Sequence, residues 1–195
     1  VAAATGAKLR CPKSYTCITK TVTNPSVHST LKVSRLAVDP RVVLVNVPKL
    51  KTHNLAATTL CMKNLMGVVN AADRHYCQQA WQAIPEDERP ADSDRNDAAY
   101  KDLHERWQRG LAGRLADTAK VVRPRLNIVE GVVGRDGTGF RRGRNHPMGL
   151  VIAGINPVAV DSVASYLMGF DPVSLIYLQA ASEAGLGEID LDKLT

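Results

Sequence analysis

The run Val42-Val43-Leu44-Val45-Asn46-Val47-Pro48-Lys49-Leu50-Lys51-Thr52-His53 constrains this chain more than any other stretch. Val42 to Val47 is β-branched and almost wholly apolar, the pattern of a strand buried on both faces. Pro48 ends it, because proline brings no N–H to a ladder and holds its predecessor extended. If the chain stays extended beyond Pro48, alternation puts Lys49, Lys51 and His53 on one face. Two fixed cations and an imidazole then stand at the C-terminal end of a strand, where open α/β sheets bind ligands. The plainer alternative is a solvated basic edge.

A chain of 195 residues is long enough to bury a full core. It is expected to form one domain over residues 1–195, with residues 86–99 as an exposed acidic loop. No apolar run is long enough to cross a bilayer. The first residue is Val1 rather than Met and no signal segment is visible, so the sequence reads as a processed or truncated piece. A cytoplasmic location is favoured, with export left open. The formal charge is +6, but it is unevenly spread. Seven acids and three bases lie between Glu86 and Asp102, whereas Arg123 to His146 carries six arginines against Glu130 and Asp136. That asymmetry suits a small anionic ligand better than a nucleic acid, because no aromatic-studded basic strand is present. Cys11, Cys17, Cys61 and Cys77 form no Cys-x-x-Cys pair and no ferredoxin run. His75 and Cys77 are poorly spaced as metal ligands, so no metal site is expected. Cys11 and Cys17 are close enough to pair in an exported protein, while free thiols suit a cytosolic one.

Around the central run, the rest of the chain alternates strands and helices. Tyr15–Val22 and Leu31–Leu36 have the two-residue alternation of one or two antiparallel strands. Asn54 is placed as an N-cap for a helix over Leu55–Met66, stopped by Gly67. That helix start would add free N–H groups and a dipole to the Lys49/Lys51/His53 face. On such a helix Lys63 and Asn64 lie about two turns further on, roughly 12–15 Å away. Lys63 has a plain alternative role, balancing the dipole at the C-terminal end. A long amphipathic helix is expected over Tyr100–Val122, with Leu103, Trp107, Leu111, Leu115, Ala119 and Val122 as its buried stripe. Leu126–Val129 and Gly149–Gly154 read as further buried strands. Between them runs a loop rich in glycine and arginine, with Gly134, Arg135, Gly137, Gly139 and Arg141 as candidate anion contacts. It matches neither a dinucleotide fingerprint nor a Walker loop, and its bland form is a flexible hairpin. Asn156 and Pro157 cap and start a helix to Met168 that carries Asp161. Asp171-Pro172 repeats the device for a last helix to about Ala184. Together these elements predict an α/β fold, mixed and mainly a buried β-sheet flanked by helices, with an exposed acidic insertion.

Several of these segments taken together resemble a bacterial and archaeal family known as domain of unknown function 362. The matching segments are Val47–His53, Thr59, Lys63–Gly67, Ile128–Gly134 with Gly137 and Gly139, Ala153-Gly154, Asn156–Asp161 and Met168–Pro172. They stand in the family's order and span roughly residues 42 to 187. The resemblance implies an α/β domain whose members often occur beside four-iron ferredoxin modules or carry export signals. It implies no established reaction and no particular cofactor, and it implies an upstream segment that is missing here.

Two functions from different classes follow. The first is an enzyme acting on a small phosphate- or carboxylate-bearing substrate. Lys49, Lys51, Asn64 and the 134–141 loop would bind the anion, His53 would be the general acid/base, and Lys63 and Asp161 would assist. The second is a redox accessory module that docks a ferredoxin-like or otherwise acidic partner through its basic surface. The sequence leaves the oligomeric state open.

Overall fold

The computed structural model describes residues 2–9, 13–89, 98–137 and 142–194. The fold is mixed α/β, as the alternation of strand and helix patterns predicts. A short helix α1 (Ala2–Thr5) precedes a two-stranded antiparallel hairpin, β1 (Cys17–Thr21) and β2 (Thr30–Ser34). The central run follows as β3 (Val45–Asn46) and β4 (Lys49–His53), then β5 (Ala57–Thr59) and α2 (Cys61–Asn64). Next come α3 (Tyr76–Gln82) and the long α4 (Ala98–Val121). The chain closes with β6 (Leu126–Arg135), β7 (Asn145–Gly154), α5 (Pro157–Leu167) and α6 (Ile176–Glu183).

β6 is the spine of the sheet. On one side it pairs in parallel with β3 and then β4, as Val45↔Leu126 and Lys49↔Glu130. On the other side it pairs antiparallel with β7, as Glu130↔Val151. β5 folds back antiparallel on β4. β3 and β4 are thus one extended path interrupted at Pro48, whose carbonyl still accepts from Glu130 N at 2.8 Å. Alternation survives the interruption: Val45, Val47 and Lys49 are exposed, while Asn46, Pro48 and Leu50 are buried.

One face of this sheet is covered and the other is bare. Leu50, Val129, Leu60, Val160 and Ala164 pack the covered face against α5. The larger core lies between the hairpin, α4 and α6, around Val33, Val69, Tyr76, Leu111, Leu115 and Leu178. The bare face carries Val45, Val47, Val132 and Val151, which are 43%, 57%, 53% and 59% exposed. The expectation that Val42–Val47 and Gly149–Gly154 are buried on both faces is therefore corrected. Their apolar residues build a strand path with only one covered side.

The helix expected over Leu55–Met66 is also corrected. The chain turns at 54–56, runs back as β5, and only then forms the four residues of α2 and a 3₁₀ turn at Leu65–Val68. Elsewhere the local signals hold. Asn156 Oδ1 accepts from Val158 N and Ala159 N at 2.9 and 3.0 Å, capping α5 at Pro157. Gly169 and Gly185 take φ of +85° and +69° after α5 and α6. Leu103, Leu111, Leu115, Ala119 and Val122 are buried as one stripe on and just beyond α4. Glu86, Asp87 and Glu88 form an exposed 3₁₀ turn.

A buried carboxylate holds the hairpin to the helical core. Asp117 of α4 is fully buried and accepts from Ser26 N, Val27 N and His28 N at 2.7, 2.7 and 2.8 Å, with Lys120 Nζ at 3.2 Å. Burial pushes this carboxyl up. The N–H donors of Ser26, His28 and Val27, with Lys120, outweigh that and hold it below the usual carboxylate range. Its contribution to stability is therefore present above the unfolded value near pH 4 and is lost as pH falls through the folded value. Asp117→Ala should cost about 3 kcal/mol in urea unfolding at neutral pH, and the difference from wild type should shrink on acidification. An undiminished gap at about pH 2 would contradict this account.

Candidate functional site

The β4–β5 turn builds the site. His53 and Ala57 are register partners, and Ala57 takes φ +59°, a left-handed conformation uncommon for alanine. His53 Nδ1 accepts from Leu55 N and Ala56 N at 3.0 and 3.2 Å, satisfying two turn donors with one ring nitrogen. β5 then carries the chain back along β4 to Leu60. The following helix start is clamped by Asp161 of α5, which is completely buried and accepts from Cys61 N at 2.7 Å and Met62 N at 3.0 Å. Burial pushes the Asp161 carboxyl up to about 7, against the pull of those N–H donors. Asn64 Nδ2 donates to Asn46 Oδ1 at 2.7 Å, and Asn46 Nδ2 donates to Asn127 Oδ1 at 2.9 Å, tying α2 to β3 and β6.

This reversal brings Lys63 to His53. Lys63 Nζ lies 2.5 Å from His53 Nε2 and 3.4 Å from Cys77 Sγ of α3. The contact dictates protonation. Two amide donors point at Nδ1, so Nδ1 holds a lone pair and the neutral ring carries its proton on Nε2. Nε2–H then points at Lys63 Nζ, which must accept. An ammonium has no lone pair, so Lys63 is a neutral amine that accepts from His53 and donates to Cys77. The electrostatics run the same way. Burial, the largest cause, holds the His53 imidazole down to about 3, and positive charge on either neighbouring lysine would push it the same way. Burial also lowers Lys63 and Lys51, while the Cys77 sulfur works to raise both.

Lys51, His53, Thr59, Lys63 and Asn64 line a cavity of about 290 Å³. Lys51 and Thr59 are register partners across β4 and β5. The Thr59 hydroxyl is buried and has no hydrogen-bond partner among the described residues. Lys49 also borders the cavity, but its Nζ is ion-paired with Glu130 Oε2 at 2.5 Å. Three larger hollows, about 500, 480 and 330 Å³, are lined by no histidine or cysteine among the described residues. Among the described residues no three His, Cys, Asp or Glu side chains converge to hold a metal ion.

The expected site residues fall into groups. Lys49, Lys51, His53, Lys63 and Asn64 surround this cavity. Gly134 and Arg135 line a separate, more apolar cavity of about 230 Å³ with Leu50, Thr52, Leu167 and Met168. Arg135 Nη1 donates to Asn145 Oδ1 at 2.8 Å across the β6–β7 hairpin. Gly137 has φ +71°, and a Cβ there would meet the Arg142 carbonyl, so the hairpin itself requires glycine. Thr52 Oγ1 donates to the Gly137 carbonyl at 2.8 Å, bracing that hairpin against β4. Gly139 and Arg141 lie outside the described residues, as does Cys11, on which the expected Cys11–Cys17 alternative turned. Asp161 sits beneath the site and reaches it through the N–H groups of Cys61 and Met62 in α2. The helix N–H groups expected to face an anion are thus already occupied. Cys77 had been weighed only as a poor metal ligand. Nothing local in the sequence ties it to Lys63, fourteen residues away.

Fold and site together define an α/β protein with a lysine–histidine pocket at the end of a parallel strand pair. The chain belongs to the family described as Domain of unknown function (DUF362), whose profile matches residues 1–166. It is also similar to a thylakoid-associated protein of Synechocystis sp., 29% identical over 156 residues. That alignment covers 80% of this chain and 41% of the relative, so the chain spans less than half of that protein's length. No solved structure matches it. Among the described residues, no helix is long and apolar enough to cross a membrane.

The proton arrangement has a direct spectroscopic signature. The His53 ring should stay neutral from about pH 8 to pH 5, with its ¹⁵N resonances reporting the Nε2–H tautomer. An ordinary histidine midpoint near 6.5 would contradict the geometry.

Proposed function

We propose that the protein is an enzyme acting on a small phosphate- or carboxylate-bearing substrate bound in the Lys51–His53–Lys63 cavity. The observation that carries this reading is the convergence on one cavity of a lysine, an amine–imidazole pair and a buried hydroxyl without a partner among the described residues. Lys51 supplies the charge that recognises the anion, and Thr59 and Asn64 offer hydrogen bonds to its oxygens. Lys63 is the base, since burial favours its uncharged form and its Nζ lies against His53 Nε2. His53 orients that amine and relays its proton. Asp161 acts as a positioning residue through the α2 backbone, and Lys49 acts through its pairing with Glu130. The Gly134–Arg141 stretch contributes by shaping the neighbouring wall.

The alternative, a redox accessory module docking an acidic or ferredoxin-like partner, predicts association that weakens steeply with salt. It gives the buried amine and imidazole no task, and for that reason the enzyme reading is preferred.

Oxalate, a small dianion, is a suitable probe of the anion site. Lys51→Met should weaken its binding by about 10-fold or more, the equivalent of about 1.4 kcal/mol, measured by calorimetry or chemical-shift titration. Lys193→Met, which removes an exposed lysine paired with Asp190, should leave it unchanged. Equal affinity in wild type and Lys51→Met would remove the anion site from this cavity.

A further inference from the structure

An uncharged lysine is a poor anion clamp, and that mismatch leads beyond recognition of charge. We propose that Lys63 is a nucleophile that condenses, through Nζ, with the carbonyl group of a small 2-oxo acid or acidic aldehyde, forming an imine in the cavity. The inference rests on the anionic-substrate reading above and names the substrate class.

Four observations converge on it. Lys63 Nζ holds a lone pair, because His53 Nδ1 is taken by two backbone donors and Nε2–H must be accepted at 2.5 Å. Lys63 is only partly buried and lines the cavity, so its amine is reachable from solvent. Lys51 stands two residues before His53 on the same face of β4 and borders the same cavity, where it can pair with the carboxylate of such a substrate. Thr59 supplies a buried hydroxyl without a partner among the described residues, opposite Lys51 in register. At about 290 Å³ the cavity is at the small end of ligand sites, the size for an acid of a few carbons. The groups that influence Lys63 come from two elements: Lys51 and His53 from β4, and the Cys77 thiol from α3. No carboxylate is among them; burial and the Lys51 charge favour the free amine, and the Cys77 sulfur works against them. Neutral lysines in desolvated, cation-flanked pockets are the ones that act as covalent nucleophiles.

The step balances without an oxidant or reductant. The Nζ lone pair attacks the carbonyl carbon, a C–N bond forms, and the carbonyl π pair moves to oxygen. One Nζ proton passes to that oxygen through the Thr59 hydroxyl or a water, giving a carbinolamine. The hydroxyl then leaves with the second Nζ proton as water, and the imine remains. His53 is a positioning residue here, releasing the lone pair as the carbonyl arrives.

The test is chemical trapping. The full chain is incubated with glyoxylate or pyruvate at about pH 7, reduced with borohydride and mapped by peptide mass spectrometry. Adduct should form at Lys63 at least ~10-fold more readily than at any other lysine, because an ordinary lysine with pKa near 10.4 is almost wholly protonated there. Lys63→Arg should abolish it. Should that variant fail to fold, protection of wild-type Lys63 by oxalate, which forms no imine, provides the same assignment. Labelling spread over the lysines according to their exposure would overturn the proposal. An absence of adduct while oxalate still shifts the His53 resonances would overturn the imine and leave the anion site intact. An absence of both would overturn the two together.

Discussion

The buried Asp161 carboxylate holds the rest of the site in place. It reaches from α5 to the first two N–H groups of α2 and so fixes the point at which β5 becomes helix. Without that clamp Lys63 has no reason to lie over His53. Taking an ionisable group wholly out of water is costly, and here two backbone donors, with the side chains of Cys61 and Tyr177, offset that cost only in part, since burial still raises the carboxyl to about 7. Asp117 uses the same chemistry on the hairpin. In both places a buried carboxylate on a helix organises a loop through its backbone, with Lys120 added as a cation at Asp117.

The Asn46–Asn127–Asn64 ladder complements the clamp. Its amides bridge α2, β3 and β6 through Asn46, and the buried Asn46 and Asn127 each need the partner this gives them. The site therefore rests on a frame held from two directions, by Asp161 below and by the asparagines along the strand axis. Thr58 adds a third tie, bonding Ser165 and Tyr177 at 3.1 and 2.9 Å. Rigid support of this kind keeps a short amine–imidazole contact at 2.5 Å.

Much of this was legible in the sequence, and the parts that were not have physical causes. The alternation that puts Lys49, Lys51 and His53 together passed intact through Pro48, since proline is compatible with an extended path. Caps at Asn156 and Asp171 were legible because their bonds are local. The fold-back at 54–57 was not. The residue with positive φ is Ala57, where glycine or asparagine would have announced a turn. Leu55, Thr59, Met62 and Met66 also happen to fall at helical spacing, although the first two belong to a turn and a strand. Apolarity in Val42–Val47 was visible, but a sequence does not say whether anything lies against a valine. The Lys63–His53 contact depended on the unseen turn and was lost with it.

The alternation from Val45 to Lys49 also brings the bare sheet face up to the edge of the cavity, which Lys49 borders. A body laid over Val45 and Val47 would end beside Lys49 and Lys51, and it would thin the water around the amine. Its arrival would raise the electrostatic contrast inside the pocket, because charges interact more strongly as solvent withdraws. Linkage makes the relation mutual: whatever occupies the pocket must alter the affinity of that covering body to the same degree. On the proposed reading, a body that covered this stripe of side chains would be coupled to the chemistry at the strand end.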